Sequence, residues 1–365
     1  MKRASAVSEL DPVSQSAASA SASVCRVTRL QPGDAARWNA FVLAHPEGTF
    51  FHRAEWEQVL TRAFRHKTHY LLAERDGRVC GVLPLAQLKS ALFGHSLVST
   101  PFCVYGGIVA ADATARAALE GEACELGRRL GVGYVEMRNV RRANPEWPCK
   151  DLYFTFRRPI DADPEKNLLA IPRKQRAMVR KGIQKNLKAE LDTGTERLFA
   201  IYSESLRNLG TPVFAARYLR LLRELFREDC EVLTVVAEGG QPIASVMSFY
   251  FRDEVLPYYG GSIAAARSVA GNDFMYWQVM ERARERGAQL FDFGRSKRGT
   301  GAFDFKSNWG FEPQALCYEY HLVKARSMPD LSPNNPKYER MIDLWRRLPV
   351  PLTRLVGPPI ARYLG

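Results

Sequence analysis

One order of elements occurs twice in this 365-residue chain, and the repetition limits the folds open to it. In the first half, residues 69–74 and the run ending at Leu88 are apolar and flank the turn Arg75-Asp-Gly77, which predicts a hairpin. In the second half, 232–238 and 243–251 predict another across Gly239-Gly240. Ala73-Glu74 corresponds to Ala237-Glu238, and Tyr105-Gly-Gly107 to Tyr259-Gly-Gly261. Each half then has a helix, near 113–130 and from Asn272 or Asp273 to Gly287, that leads into a strand at 134–138 or 290–293. A loop of small residues (89–102) and a strand at 153–156 complete the first half. The expected class is α/β with mixed α+β sheets, in two units at 24–160 and 161–325.

Three segments fall outside the repeat. Residues 1–23 are Ser- and Ala-rich without periodicity, which predicts a disordered tail. Residues 172–188 predict a helix with Pro172 in its first turn and Val179, Ile183 and Leu187 as an apolar stripe. Its other faces carry Arg173, Lys174, Arg176, Arg180, Lys181, Lys185 and Lys188, with no acidic residue. Such a helix is either a solvated one held by its stripe or one whose like charges a phosphate-bearing ligand would relieve. The segment 326–365 is Pro-rich and basic, with Tyr338, Met341, Ile342, Trp345 and Leu348 at helical spacing beside Arg340, Arg346 and Arg347. It can pack back on the body or make peripheral contact with an anionic membrane.

The formal charge of +13 favours an anionic partner without choosing among nucleic acid, a phosphorylated carrier and a lipid surface. Seven scattered cysteines with no C-x-x-C pair suit a reducing cytosol better than a disulfide framework or a zinc site. His66 and His69 have no carboxylate at ligand spacing, so no metal site is expected. No apolar run reaches spanning length and the amino terminus has no signal-peptide core, which predicts a cytoplasmic protein, peripheral at the inner membrane face if the last segment binds lipid.

The stretch 272–313 carries the chemistry. Strand alternation puts Asp292 opposite Phe291 and Phe293. The glycine loop 294–301 follows, with Arg295, Lys297 and Arg298 as charges and Gly299 and Gly301 allowing tight turns; such a loop can bind anions. In the next helix Phe305 and Trp309 share a face, and Lys306 points off it.

The joint pattern Asp292-Phe-Gly-Arg-Ser296, Gly299-Thr-Gly301 and Phe305-Lys-Ser-Asn-Trp-Gly310 resembles the FemAB family, in particular its members associated with exosortase (PEP-CTERM) exopolysaccharide systems. The resemblance covers roughly 24–323 and implies tandem GNAT-like domains. It also implies acyl transfer without a covalent intermediate. FemAB aminoacyl transferases move an aminoacyl group from charged tRNA to an amine of a peptidoglycan precursor. The residues matching Lys306 and Phe305 would engage the donor's acceptor end. An acyl-CoA donor is the alternative, but the CoA-loop pattern is poorly kept at 266–272, where Arg267 and Gly271 are misspaced. No tightly bound cofactor is implied. In the exopolysaccharide-type relatives the acceptor would be an amino sugar of a lipid-linked glycan. Asp292 and Asp304 are candidate bases, and His52, Trp56, Tyr258 and Tyr259 candidates for an acceptor cleft. The competing reading is a non-catalytic module that holds RNA or an anionic glycan carrier.

Overall fold

A computed structural model describes residues 24–90, 93–329 and 336–364; the tail expected at 1–23 lies outside them. Two eight-stranded mixed sheets form the body. The first runs Arg26–Arg29, Lys67–Arg75, Arg78–Ser90, Gly94–Ser99, Tyr134–Asn139, Cys317–Leu322, Cys149–Lys150, with Val109–Ala110 beside Arg78–Ser90. The second runs Ser296–Lys297, Tyr153–Pro159, Leu290–Asp292, Glu254–Ser262, Pro242–Phe251, Cys230–Val236, Lys188–Asp192, with Pro313–Ala315 beside Tyr153–Pro159. One neighbouring pair in each sheet is parallel, Gly94–Ser99 with Tyr134–Asn139 and Glu254–Ser262 with Leu290–Asp292. A helix makes each crossover, Ala113–Leu130 in the first and Gly271–Glu285 in the second.

The boundary expected at 160 is not where the sheets divide. Tyr153–Pro159 leaves the first half to pair with Leu290–Asp292, and Cys317–Leu322 returns to pair with Tyr134–Asn139. Each sheet thus contains a strand from the other half. Phe50 stacks on Phe249 at 4.5 Å, and one apolar core runs between the halves.

Other expectations change as well. The loop drawn at 89–102 contains the strand Gly94–Ser99. Tyr259-Gly-Gly261 lies within a strand, whereas Tyr105-Gly-Gly107 lies in the connection after one, so the two motifs are not equivalent. The basic helix ends at Gln184, leaving Leu187 and Lys188 outside it; Ile183 is exposed, and the helix packs through Val179 and Gly182. Ala270, with φ of 58°, precedes the helix Gly271–Glu285, where Asn272 or Asp273 was expected as cap. Cys149 and Cys317, 168 residues apart in sequence, bring their sulfurs together on neighbouring strands. Sequence spacing could not reveal that contact. The last segment forms helices Pro336–Arg347 and Val350–Ala361, which pack on the helix Glu196–Leu209.

Candidate active site

In the second sheet the parallel pair is short. Only Glu254 and Val255 have partners, Leu290 and Phe291, and from Leu256 onward the strand runs on alone on that side. A bulge accompanies the divergence: Met247 pairs with Tyr259 and Ser248 with Pro257, so Tyr258 has no partner on Pro242–Phe251. A bulge kinks its strand and re-aims side chains. Pro257, which cannot donate to the ladder, was a local signal for it that the sequence reading did not use.

The turn after Leu290–Asp292 faces this opening. Phe291 and Phe293 enter the core, and Asp292 points the other way, as alternation required. Asp292 is fully buried and accepts from Tyr105 Oη (2.8 Å), Thr155 Oγ1 (3.2 Å) and the Gly294 amide (2.7 Å), and it pairs with Arg157 at 3.3 Å. Its oxygens hold the turn, so the geometry gives it a positioning role.

Lys306 differs most from expectation. Its ammonium reaches back from the helix Gly301–Asn308 and donates to three carbonyls, Phe293 (2.7 Å), Gly294 (3.0 Å) and Arg295 (3.2 Å). It clamps the turn from below. Burial lowers its pKa to about 7; the Asp292 charge opposes that shift and the Arg295 charge adds to it. Phe305 packs on Tyr276 (5.6 Å) and Trp309 (6.0 Å), so it anchors the helix. Thr300 caps the helix by accepting from the Phe303 amide.

The loop charges lie over aromatic rings, two of them over the same one. Ser296–Lys297 is a short strand paired with Tyr153–Pro159. Arg295 lies against the rings of Tyr153 (4.8 Å) and Tyr318 (5.7 Å) and donates to Tyr318 Oη at 3.0 Å. Lys297 also lies over Tyr153, whereas Arg298 covers Phe154. Gly299 turns the chain with φ of 76°. Gly301 opens the helix with nothing close to where a side chain would be.

A wedge from the first half, residues 100–107, completes the region. Tyr258 Oη donates to the Phe102 carbonyl (2.7 Å), Arg138 to that of Cys103 (2.7 Å) and Tyr318 to that of Val104 (2.6 Å). Thr100 and Phe102 sit at φ of 41° and 70°, backbone that non-glycine residues hold only when surrounding contacts impose it. Arg138 is buried and paired with Glu136. No local pattern singled out this wedge beyond Tyr105-Gly-Gly107.

The acceptor-cleft candidates separate. Trp56 is fully buried in the core between the halves. His52 is buried too: Nδ1 meets Thr49 and Nε2 the Gly107 carbonyl, and desolvation lowers its pKa to about 4. Both support the fold from inside. Tyr259 is buried and shares a hydrogen bond with Tyr218, while Tyr258 stays half-buried at the bulge. No group of residues suited to hold a metal occurs among the described residues.

Arg173, Arg176 and Arg180 share one helix face and, with Ala177 and Gln184, line a depression of about 480 Å³. Lys174 and Lys181 lie on the adjoining stripe. None of the five cations makes an ion pair among the described residues. Gln175 donates to Asp273 (3.2 Å), which accepts from Trp309 Nε1 (2.9 Å); this chain ties the basic helix to the helix of Lys306.

Residues 173–307 match the family model described as acetyltransferase (GNAT) domain. Comparison with curated protein sequences found no match. Among solved structures, the crystal structure of FemX superposes with a TM-score of 0.65 at 15% identity, over 82% of this chain and 98% of that one. L-PGS from Bacillus licheniformis gives 0.54 at 13% identity, over 90% and 98%. A tandem GNAT protein from the clavulanic acid biosynthesis pathway gives 0.53 at 14%, over 84% and 100%. The chain has the fold of tandem GNAT-like domains, and its residues 173–307 carry the sequence signature of an acetyltransferase (GNAT) domain.

Proposed function

We propose that the chain is an N-acyl or aminoacyl transferase of FemAB type that acts on an amine of a cell-envelope or exopolysaccharide precursor. The observation that carries this reading is the divergence of Glu254–Ser262 from Leu290–Asp292, bulged at Tyr258, whose ring lies beside Gly294 of the turn that Lys306 clamps. An acyl group lying between the two strands would present its carbonyl to the backbone of the bulge. The acceptor nitrogen attacks that carbonyl, the ester or thioester bond breaks, and the amine proton leaves to solvent or to the departing group. The protein contributes position and hydrogen-bond donors, which is where most acceleration of such a step arises.

The acid-free helix Arg173–Gln184 favours a donor with several phosphates, as in aminoacyl-tRNA or acyl-CoA. The resemblance of 292–310 to the FemAB family, together with the poorly kept CoA loop, favours the charged tRNA. The test presents purified protein with labelled aminoacyl-tRNA or acyl-CoA and with peptidoglycan-precursor or amino-sugar acceptors. Acceptor-dependent transfer of label supports the reading. Tight donor binding with no transfer to any amine overturns it in favour of a degenerate binding module. A gene neighbourhood with glycosyltransferases and an exosortase would point to the glycan acceptor, and a peptidoglycan operon to the peptide bridge.

A further inference from the structure

The two carboxy-terminal helices expose apolar side chains that the transferase reading does not use. In Pro336–Arg347, Ile342 meets Gly210, at the end of the helix Glu196–Leu209, and the exposed Arg346 lies beside it and pairs with Asp343 at 3.2 Å. Met341 and Leu344 are left outward, Leu344 with 64% of its surface exposed. In Val350–Ala361, Thr353, Gly357 and Ala361 are buried, Arg354 donates to Ser203, and Leu352 and Leu355 project, the latter 73% exposed. Both helices pack on Glu196–Leu209, and Leu209 is exposed at that helix's end. Arg340 and Arg347, on the same helix as Leu344, are exposed. Residues 336–365 contain six Lys or Arg and two Asp or Glu, and Arg340 and Arg347 make no ion pair among the described residues.

We propose that this face is a docking surface for an anionic lipid bilayer. Separate apolar tips on short helices, set among cations, suit shallow insertion between headgroups. Leucines enter the acyl boundary while guanidiniums reach phosphates at the same depth. A protein partner of comparable affinity would instead require a contiguous, shape-matched patch. Among the described residues no helix is long and apolar enough to cross the membrane, so the contact is peripheral. Charge complementarity selects the bilayer: Arg340 and Arg347 are exposed without an ion pair among the described residues, and the whole chain is at +13, which disfavours a second copy of itself. The inference is independent of which acyl group the transferase moves.

The experiment is flotation of the full chain with phosphatidylcholine vesicles, with and without added phosphatidylglycerol. Point variants are used because removing the helices would uncover His66, whose Nε2 meets the Arg362 carbonyl at 2.7 Å. The wild type is expected to float with anionic vesicles and not with neutral ones, and to be released by salt. Arg340→Gln with Arg347→Gln should weaken partitioning by roughly 25-fold, about 5-fold per charge. Leu344→Ser with Leu355→Ser should weaken it by about 10-fold or more. All these side chains are exposed, so melting temperatures should match the wild type. The proposal is overturned if the wild type ignores anionic vesicles or if both double variants float as well as it does. It is equally overturned if the wild type dimerises through Leu344 and Leu355 and shows no vesicle binding.

Discussion

Replacing Lys306 by alanine removes the ammonium on which three carbonyls of the turn 293–295 converge. Hydrogen bonds to a charged group contribute about 1.5–3 kcal/mol each, so three would total roughly 4–9 kcal/mol. Taking the ammonium out of water costs several kcal/mol in the opposite direction. Lys306 is half-buried, so in the variant water can reach part of the freed carbonyls. The net expected loss is about 2–4 kcal/mol, together with a looser turn and a displaced Arg295. Lys306→Arg should recover little, because a planar guanidinium cannot direct three donors at carbonyls converging on one point. The assay is urea unfolding of wild type and both variants, paired with turnover at a temperature where all are folded. Both readouts should fall in Lys306→Ala. Unchanged stability with turnover down about 10²-fold would refute the clamp and return the lysine to direct contact with the donor. Unchanged stability with unchanged turnover would remove it from the site altogether.

Two further outcomes are expected. His52 has a pKa lowered to about 4 in the folded protein against 6.5 when free, so between these values the unfolded chain binds more protons. Its contribution is therefore complete above pH 6.5 and lost as pH falls toward 4, up to roughly 3 kcal/mol; acid unfolding should be correspondingly shallower in His52→Gln than in the wild type, and identical slopes would refute the argument. Asp292→Asn replaces an acceptor of three hydrogen bonds at the domain junction, and should cost about 2–4 kcal/mol by denaturant titration. Turnover per folded molecule should stay within about ten-fold, whereas loss of a general base would lower it 10²–10⁴-fold without loss of stability.

Much of the fold was legible because its signals are local. Asp76 and Gly77, both at positive φ, make the hairpin turn that Arg75-Asp-Gly77 announced. The helix Ala113–Leu130 closes on Gly131 at φ of 64°, and period-two alternation put Asp292 opposite Phe291 and Phe293. These depend on backbone sterics and side-chain direction, which neighbouring residues dictate. The FemAB-like pattern around 292–310 belongs with them, since it is contiguous and its order of strand, turn and helix follows from its own residues.

What the tertiary structure decided were the partnerships across sequence distance. Tyr153–Pro159 reads as a strand from its residues, but which open edge receives it depends on every other strand in both sheets. Lys306, written like a surface lysine, finds three carbonyls because the turn before its helix folds beneath it. Trp56 lies inside the core because Phe226 and Phe249 of the second half pack on it, and His52 is buried through Thr49 and the Gly107 carbonyl of its own half. Asp292 anchors the turn through distant partners: Tyr105 and Thr155 stand 187 and 137 residues away. A side chain's chemistry is fixed locally, but its role follows from the groups that desolvate it and bond to it, and for Asp292 and Trp56 those come from the other half of the chain.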